Sequence, residues 1–270
     1  MKSELKAFDS PINFLRKNSS LRRSILRFFL ATLLLYIVTS IVLVVCSLKA
    51  LGMQFIIATG SIIIAFFSFL FCNVSSLKNR SGEVLLNFGT ANIITALRIF
   101  LIPSLGILLF NEYVLIAAIL YIVCASMDIL DGFLARRSDC ESLFGTMIDP
   151  VGDILTTSLV FFYLWRINIV PSWLFGLLVF RYIYFFAGLA ILKFLHVRLR
   201  LKATIAGKVS AIIHGIAITI FLVGRGVYAR ALPDIIFEIQ YYLLAFSIIW
   251  VIISQSVIGY RMLRENREIY

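Results

Sequence analysis

Asp128, Asp131, Asp149 and Asp153 lie inside or at the edge of hydrophobic segments, in a 270-residue chain with only 14 acidic residues. A carboxylate among lipid tails costs roughly 2.5–3.5 kcal/mol on insertion scales, so four of them within one short stretch call for a compensating cation and read as functional. The stretch, SMDILDGFLARRSDCESLFGTMIDPVGDILTT, has the spacing D-x2-D-G-x2-A-R-x8-G-x3-D-x3-D. On helices, separations of three and four put Asp128 beside Asp131 on one face and Asp149 beside Asp153 on another. Two such faces meeting would form an all-oxygen cluster. That ligand set suits a hard divalent ion, Mg²⁺ or Mn²⁺, and no Cys or His stands at metal-ligand spacing next to the acids. The competing explanation, acids solvated at helix ends or paired with Arg136 and Arg137, suffices for one aspartate. It fits poorly four of them set among two glycines and an arginine at fixed intervals.

The elements that must carry these acids are transmembrane helices. With 61% hydrophobic residues the chain is too apolar for a soluble domain, and the expected fold is all-α, a polytopic integral membrane protein. Apolar runs near the ~20 residues that a bilayer core requires occur at 24–47, 53–72, 91–110, 113–130, 146–165, 171–193, 203–224 and 240–259. The first is too long and too far from Met1 for a cleaved signal peptide and is expected to remain as an anchor. The net charge of +11 does not point to nucleic acid, because the basic residues alternate between loops. With a cytoplasmic start, the outside segments hold only Lys49, Arg166, Arg225 and Arg230 of the 25 Lys and Arg. This asymmetry predicts both termini, and the acid-rich loop, on the cytoplasmic side. The basic inner face would also attract anionic membrane lipid. Four cysteines, scattered in spans and one inside loop, imply no disulfide framework.

The first two spans have no charged residue in their interiors. They are expected to form an accessory hairpin, with a basic N-terminal segment, over residues 1–80, added to a six-helix catalytic core over residues 81–270.

Other polar residues stand where apolar ones would be routine. Asn92, Thr95 and Arg98 share a helix face at the start of the third span and can donate to phosphate or ribose oxygens; a helix cap plus a snorkelling arginine is the plainer explanation. Gly132 and Ala135 let a diphosphate or a neighbouring helix approach the backbone, and Arg136 offers a permanent cation for phosphate. Arg181 and Lys208 lie within apolar helices and need an anionic partner.

The stretch from Asp128 to Asp153 resembles the signature of the CDP-alcohol phosphotransferases, integral membrane enzymes of phospholipid synthesis, with every signature position matched. The resemblance implies that Asp128, Asp131 and Asp149 are metal ligands, with Asp128 and Asp149 bridging two ions, and that Asp153 is the general base and also touches metal. It implies that Asn92, Thr95, Arg98, Gly132, Ala135 and Arg136 line a CDP site, with Gly145 small so that the nucleotide fits. The expected partners are CDP-diacylglycerol and a small alcohol, with no nucleic acid, and a homodimer is compatible with the reading. A second, looser likeness narrows the class: Gly207, Lys208, Ser210 and His214 in GKVSAIIH resemble the G-K-x-K-T-x2-Q segment of phosphatidylglycerophosphate and cardiolipin synthases. Gly207 and Lys208 match, whereas Ser210, Ala211 and His214 depart. The expected acceptor is glycerol 3-phosphate, bound by Arg181 and Lys208; phosphatidylglycerol, an inositol phosphate and serine remain alternatives. A different class, a divalent-cation transporter using the aspartates as a permeation site, would place its acids near the membrane midplane, whereas these flank a loop.

Overall fold

The computed structural model describes residues 10–45, 49–79, 82–137, 142–195, 205–227 and 234–267, without the side chains of residues 49, 128–137, 193, 225–227, 234 and 265–267. The described residues are helical apart from short connections. The helices are α1 (Pro11–Lys17), α2 (Ser19–Val45), α3 (Lys49–Cys72), α4 (Thr90–Phe110), α5 (Val114–Arg137), α6 (Leu143–Arg166), α7 (Ser172–Phe194), α8 (Ile205–Val227) and α9 (Asp234–Arg267). Among the described residues seven helices are long and apolar enough to cross a membrane: α2, α3, α4, α6, α7, α8 and α9. The remaining expected span, 113–130, is α5, whose described apolar part is the shorter Val114–Met127. The chain is a multi-pass membrane protein. Its exposed surface agrees, since α2 turns Leu30, Leu34, Leu35, Ile41 and Val42 outward, an arrangement suited to lipid and costly in water.

Two compact units divide the chain: Met1–Asn111 with Leu120–Leu155, and Glu112–Ile119 with Thr156–Tyr270. In the first, α3 packs against α2 and α4. The contact is aromatic: Phe28 stacks on Phe88 with ring centres 5.1 Å apart, and Phe66 sets its edge against Phe100 at 5.1 Å and against Phe144 at 6.1 Å. Phe88 and Phe144 are fully buried. Edge and offset arrangements of this kind contribute ~0.5–1.5 kcal/mol per pair beyond burial. The α2–α3 hairpin therefore forms a wall under the starts of α4 and α6, and Ser24 Oγ of α2 accepts the Phe88 N–H at 3.1 Å. Phe14 of α1 is buried, and α1 rests on α2 and on the turn at Val74–Ser76.

In the second unit α7 and α8 each pack on α9. Tyr184 and Ser256 hydroxyls pair at 2.6 Å, the Tyr241 hydroxyl donates to the Ile169 carbonyl, and Phe221 stacks between Phe237 and Tyr241. Interhelical polar contacts like these locate helices in lipid, where the apolar effect between helices is weak.

Candidate active site

The face of α4 carrying Asn92, Thr95 and Arg98 meets the face of α6 carrying Gly145, Asp149 and Asp153, residue against residue. α4 begins after Gly89, whose φ of +86° is open to glycine and strained for a residue with a side chain. This sharp entry brings Asn92 back on Phe88, whose carbonyl accepts from the Asn92 amide. α6 is capped by Ser142: its hydroxyl accepts the Gly145 N–H at 2.8 Å and donates to Asn92 Oδ1 at 2.8 Å. A serine at this position satisfies one of the orphan N–H groups of the first turn. Here it also locks α6 to α4.

Close approach depends on two glycines seven residues apart, hence on one side of α6. A methyl at Gly145 would lie 2.9 Å from Asn92 Oδ1 and 3.2 Å from Ser142 Oγ; one at Gly152 would lie 3.2 Å from an Arg98 guanidinium nitrogen and 3.3 Å from Ile99. Asn92 and Ser142 are both buried and hydrogen-bonded to each other, so neither can yield cheaply. Gly145→Val is accordingly expected to destabilise the protein by about 1–3 kcal/mol, the usual range for overpacking, read as a lowered midpoint in thermal unfolding of the detergent-solubilised chain. An unchanged midpoint would mean that α4 and α6 are not held this closely.

Between the glycines, short side chains reach across. Thr95 Oγ1 donates to Asp149 Oδ1 at 3.0 Å, sharing its proton with the Ala91 carbonyl at 3.1 Å. One turn on, Arg98 forms an ion pair with Asp153 at 2.8 Å and reaches the Asp149 carbonyl at 3.4 Å. The pair is asymmetric: the Arg98 side chain is 5% exposed and that of Asp153 54%. Its net contribution is held to about 1 kcal/mol by that exposure. Its consequence is geometric, since a carboxylate open on one side is aimed by a buried cation on the other. Pro150, between the two acids, has no N–H to donate to the preceding turn of α6.

Asn92, Thr95, Arg98, Gly145, Asp149 and Asp153 are thus brought together. Asp128, Asp131, Gly132, Ala135 and Arg136 have their backbone in α5, and their side chains lie outside the described residues. Asp149 and Asp153 offer hard oxygen donors one helical turn apart, with Asp153 open, and this donor chemistry fits a divalent ion of the Mg²⁺ or Mn²⁺ type. In the second unit, Arg181 of α7 donates to Ser210 Oγ of α8 at 3.4 Å and lies 5.7 Å from the Tyr182 ring centre. Lys208 is exposed, two residues from the fully buried Ser210 and so on roughly the opposite side of α8.

The expected set contained neither Ser142 nor Gly152. Ser142 carries the serine-before-apolar-run signal of a helix start, and Gly152 has helical spacing from Gly145. Either was within reach of the sequence.

The sequence description of the CDP-alcohol phosphatidyltransferase family matches residues 88–256, well over half of the chain; the chain belongs to this family. It is similar to the CDP-diacylglycerol–glycerol-3-phosphate 3-phosphatidyltransferase of Pseudomonas fluorescens, 40% identical over 67 residues, which cover 24% of this chain and 34% of the relative. The enzyme of the same description from Bacillus subtilis (strain 168) is 30% identical over 102 residues, 32% of this chain and 53% of the relative. A probable cardiolipin synthase (CMP-forming) of Drosophila melanogaster is 28% identical over 105 residues, 38% and 33% respectively. The matches span about a third to a half of the length of these relatives.

Proposed function

We propose that the protein transfers a phosphatidyl group from CDP-diacylglycerol to an alcohol, with glycerol 3-phosphate the leading acceptor, and releases CMP. The observation that carries the reading is the paired face of α4 and α6, where Thr95 meets Asp149 and Arg98 meets Asp153 inside the stretch that matches the family. A buried arginine set against the acids suits phosphate handling, whereas in a cation pathway it would repel the permeating ion.

In the proposed step Asp153 takes the proton of the acceptor hydroxyl as its oxygen attacks the lipid-linked phosphorus. A new P–O bond forms to the acceptor, the P–O bond to CMP breaks, and CMP departs with the electron pair. Asp128, Asp131 and Asp149, with Asp153, would hold two divalent ions, Mg²⁺ or Mn²⁺, which when bound would supply charge neutralisation for the diphosphate and the departing CMP. Arg98 orients Asp153, and Thr95 orients Asp149. Asn92, with Gly132, Ala135, Arg136 and Gly145, borders the CDP moiety. The basic loops support a site on the cytoplasmic side with both termini, and CDP-diacylglycerol would then enter from the inner leaflet. A homodimer is compatible with this scheme. Residues 1–80 serve the scheme as an accessory element and residues 81–270 as the catalytic region.

Arg181 and Lys208 are assigned to the phosphate of the acceptor. Purified protein incubated with labelled CDP-diacylglycerol and a panel of alcohols should convert glycerol 3-phosphate in preference to phosphatidylglycerol, inositol phosphate and serine. Arg181→Met or Lys208→Met should lower kcat/KM for glycerol 3-phosphate by about 10- to 100-fold, the scale of a charge-assisted hydrogen bond, with little change in the KM for CDP-diacylglycerol. Intact kinetics in both variants would overturn the glycerol phosphate assignment and leave the transferase reading standing.

A further inference from the structure

One face of α2 carries two cations followed by a run of aliphatic side chains. Leu21, Phe28, Thr32 and Ser40 are buried and mark the side on which α2 packs. The helical period puts Arg23, Arg27, Leu30, Leu34, Ile37 and Ile41 on the opposite side, and all six are exposed. Among the described residues Arg23 gives only its Nε–H, to the Ser19 carbonyl at 3.4 Å. Arg16, Lys17 and Arg22 are exposed as well, which makes five cations within residues 16–27, and no acidic residue stands between Asp9 and Glu83 in the sequence.

Unbalanced cations at the head of a span attract anionic headgroups, by about fivefold in affinity for each one near the bilayer surface. Many basic segments do this diffusely. Here two of the cations are in line with an apolar track. Arginines one turn apart offer forks of N–H donors that fit phosphate oxygens. The hydrocarbon of one leaflet, about 15 Å deep, corresponds to roughly ten helical residues, and the track from Leu30 to Ile41 supplies that length. A soluble anion would use only the arginines, and a neutral lipid only the track. A lipid with a negative headgroup uses both.

We infer that this face of α2 binds an anionic phospholipid, its phosphate held by Arg23 and Arg27 and an acyl chain lying along Leu30, Leu34, Ile37 and Ile41. The inference stands apart from the proposed transfer reaction and gives the α2–α3 hairpin a ligand of its own. In the same two turns of α2, Ser24 accepts the Phe88 N–H and Phe28 stacks on the Phe88 ring, so the lipid is seated on the helix that supports the start of α4.

The test is native mass spectrometry of the full-length protein in detergent, titrated with dioleoyl phosphatidic acid or dioleoyl phosphatidylcholine. The first phosphatidic acid should bind about tenfold or more tightly than phosphatidylcholine. Arg23→Gln combined with Arg27→Gln should weaken it by about 25-fold, two cations at about fivefold each. Arg261→Gln combined with Arg264→Gln removes the same charge from the end of α9 and should leave that affinity unchanged. Dihexanoyl phosphatidic acid and inorganic phosphate, which share the anion but lack the long chains, should bind about tenfold or more weakly than the dioleoyl lipid. All four substitutions are at exposed positions, where changes cost little stability. Equal affinity for the two dioleoyl lipids would overturn the inference, as would an unchanged affinity in the Arg23 and Arg27 variant. An equal loss in both double variants would show diffuse attraction by net charge and overturn it too. Equal binding of the dihexanoyl lipid would remove the track and with it the site.

Discussion

Asp149→Asn is expected to abolish CMP release, a loss of at least ~10²- to 10³-fold, the scale on which a preorganised electrostatic group contributes to turnover. The substitution is informative because of what it leaves alone. Thr95 donates to Asp149 Oδ1 at 3.0 Å, and an asparagine carbonyl oxygen can accept the same bond, so the contact of α4 with α6 survives while the charge goes. The midpoint of thermal unfolding should move little as activity disappears. Asp128→Asn and Asp131→Asn should match it in the same CMP assay, and EDTA should reproduce the loss until Mg²⁺ or Mn²⁺ is restored. Full activity in EDTA would remove the metal from the proposal.

Asp153→Asn should lower kcat by about 10²- to 10⁴-fold, the range for a positioned general base, while CDP-diacylglycerol still binds. The geometry adds a second readout. Arg98 is buried and Asp153 is 54% exposed, so neutralising the acid removes a half-open ion pair worth about 1 kcal/mol. A modest fall in stability beside a large fall in turnover separates base chemistry from structural support. If nucleotide binding is lost with no separate defect in turnover, Asp153 serves only as a ligand for metal.

The acids, the spans and the N-x2-T-x2-R face were legible because each is a local pattern: charge against lipid cost, a run of apolar residues, a helical spacing. The register between them was not. Nothing local states that Thr95 meets Asp149 or that Arg98 meets Asp153, residues 54 and 55 positions apart; that pairing follows from two helices sliding together until Gly145 and Gly152 admit Asn92 and Arg98. Gly145, read from the resemblance as clearance for the nucleotide, is in contact with Asn92 and Ser142, a reason for glycine that concerns packing of the protein itself. The wall beneath the site was illegible for a related reason. Phe28, Phe66 and Phe67 look like ordinary lipid-facing residues of an apolar hairpin, and only packing separates them from Leu34 or Ile41. Arg181 was found as a cation out of place, but its link to Ser210 needed three dimensions.

The ion pair of Arg98 also bears on how the chain is made. Arg98 emerges from the ribosome 55 residues before Asp153, so α4 reaches the membrane with a guanidinium whose carboxylate has not yet been synthesised. At the centre of a span an arginine costs roughly 2.5–3.5 kcal/mol on insertion scales, and Arg98, in the first half of α4, carries part of that cost. Until α6 follows, α4 gains its hold from the hairpin already in place, through Ser24 on Phe88 and the rings of Phe28 and Phe66. Along the chain, then, the apolar hairpin precedes the charged helix that packs on it, and that helix precedes its acid.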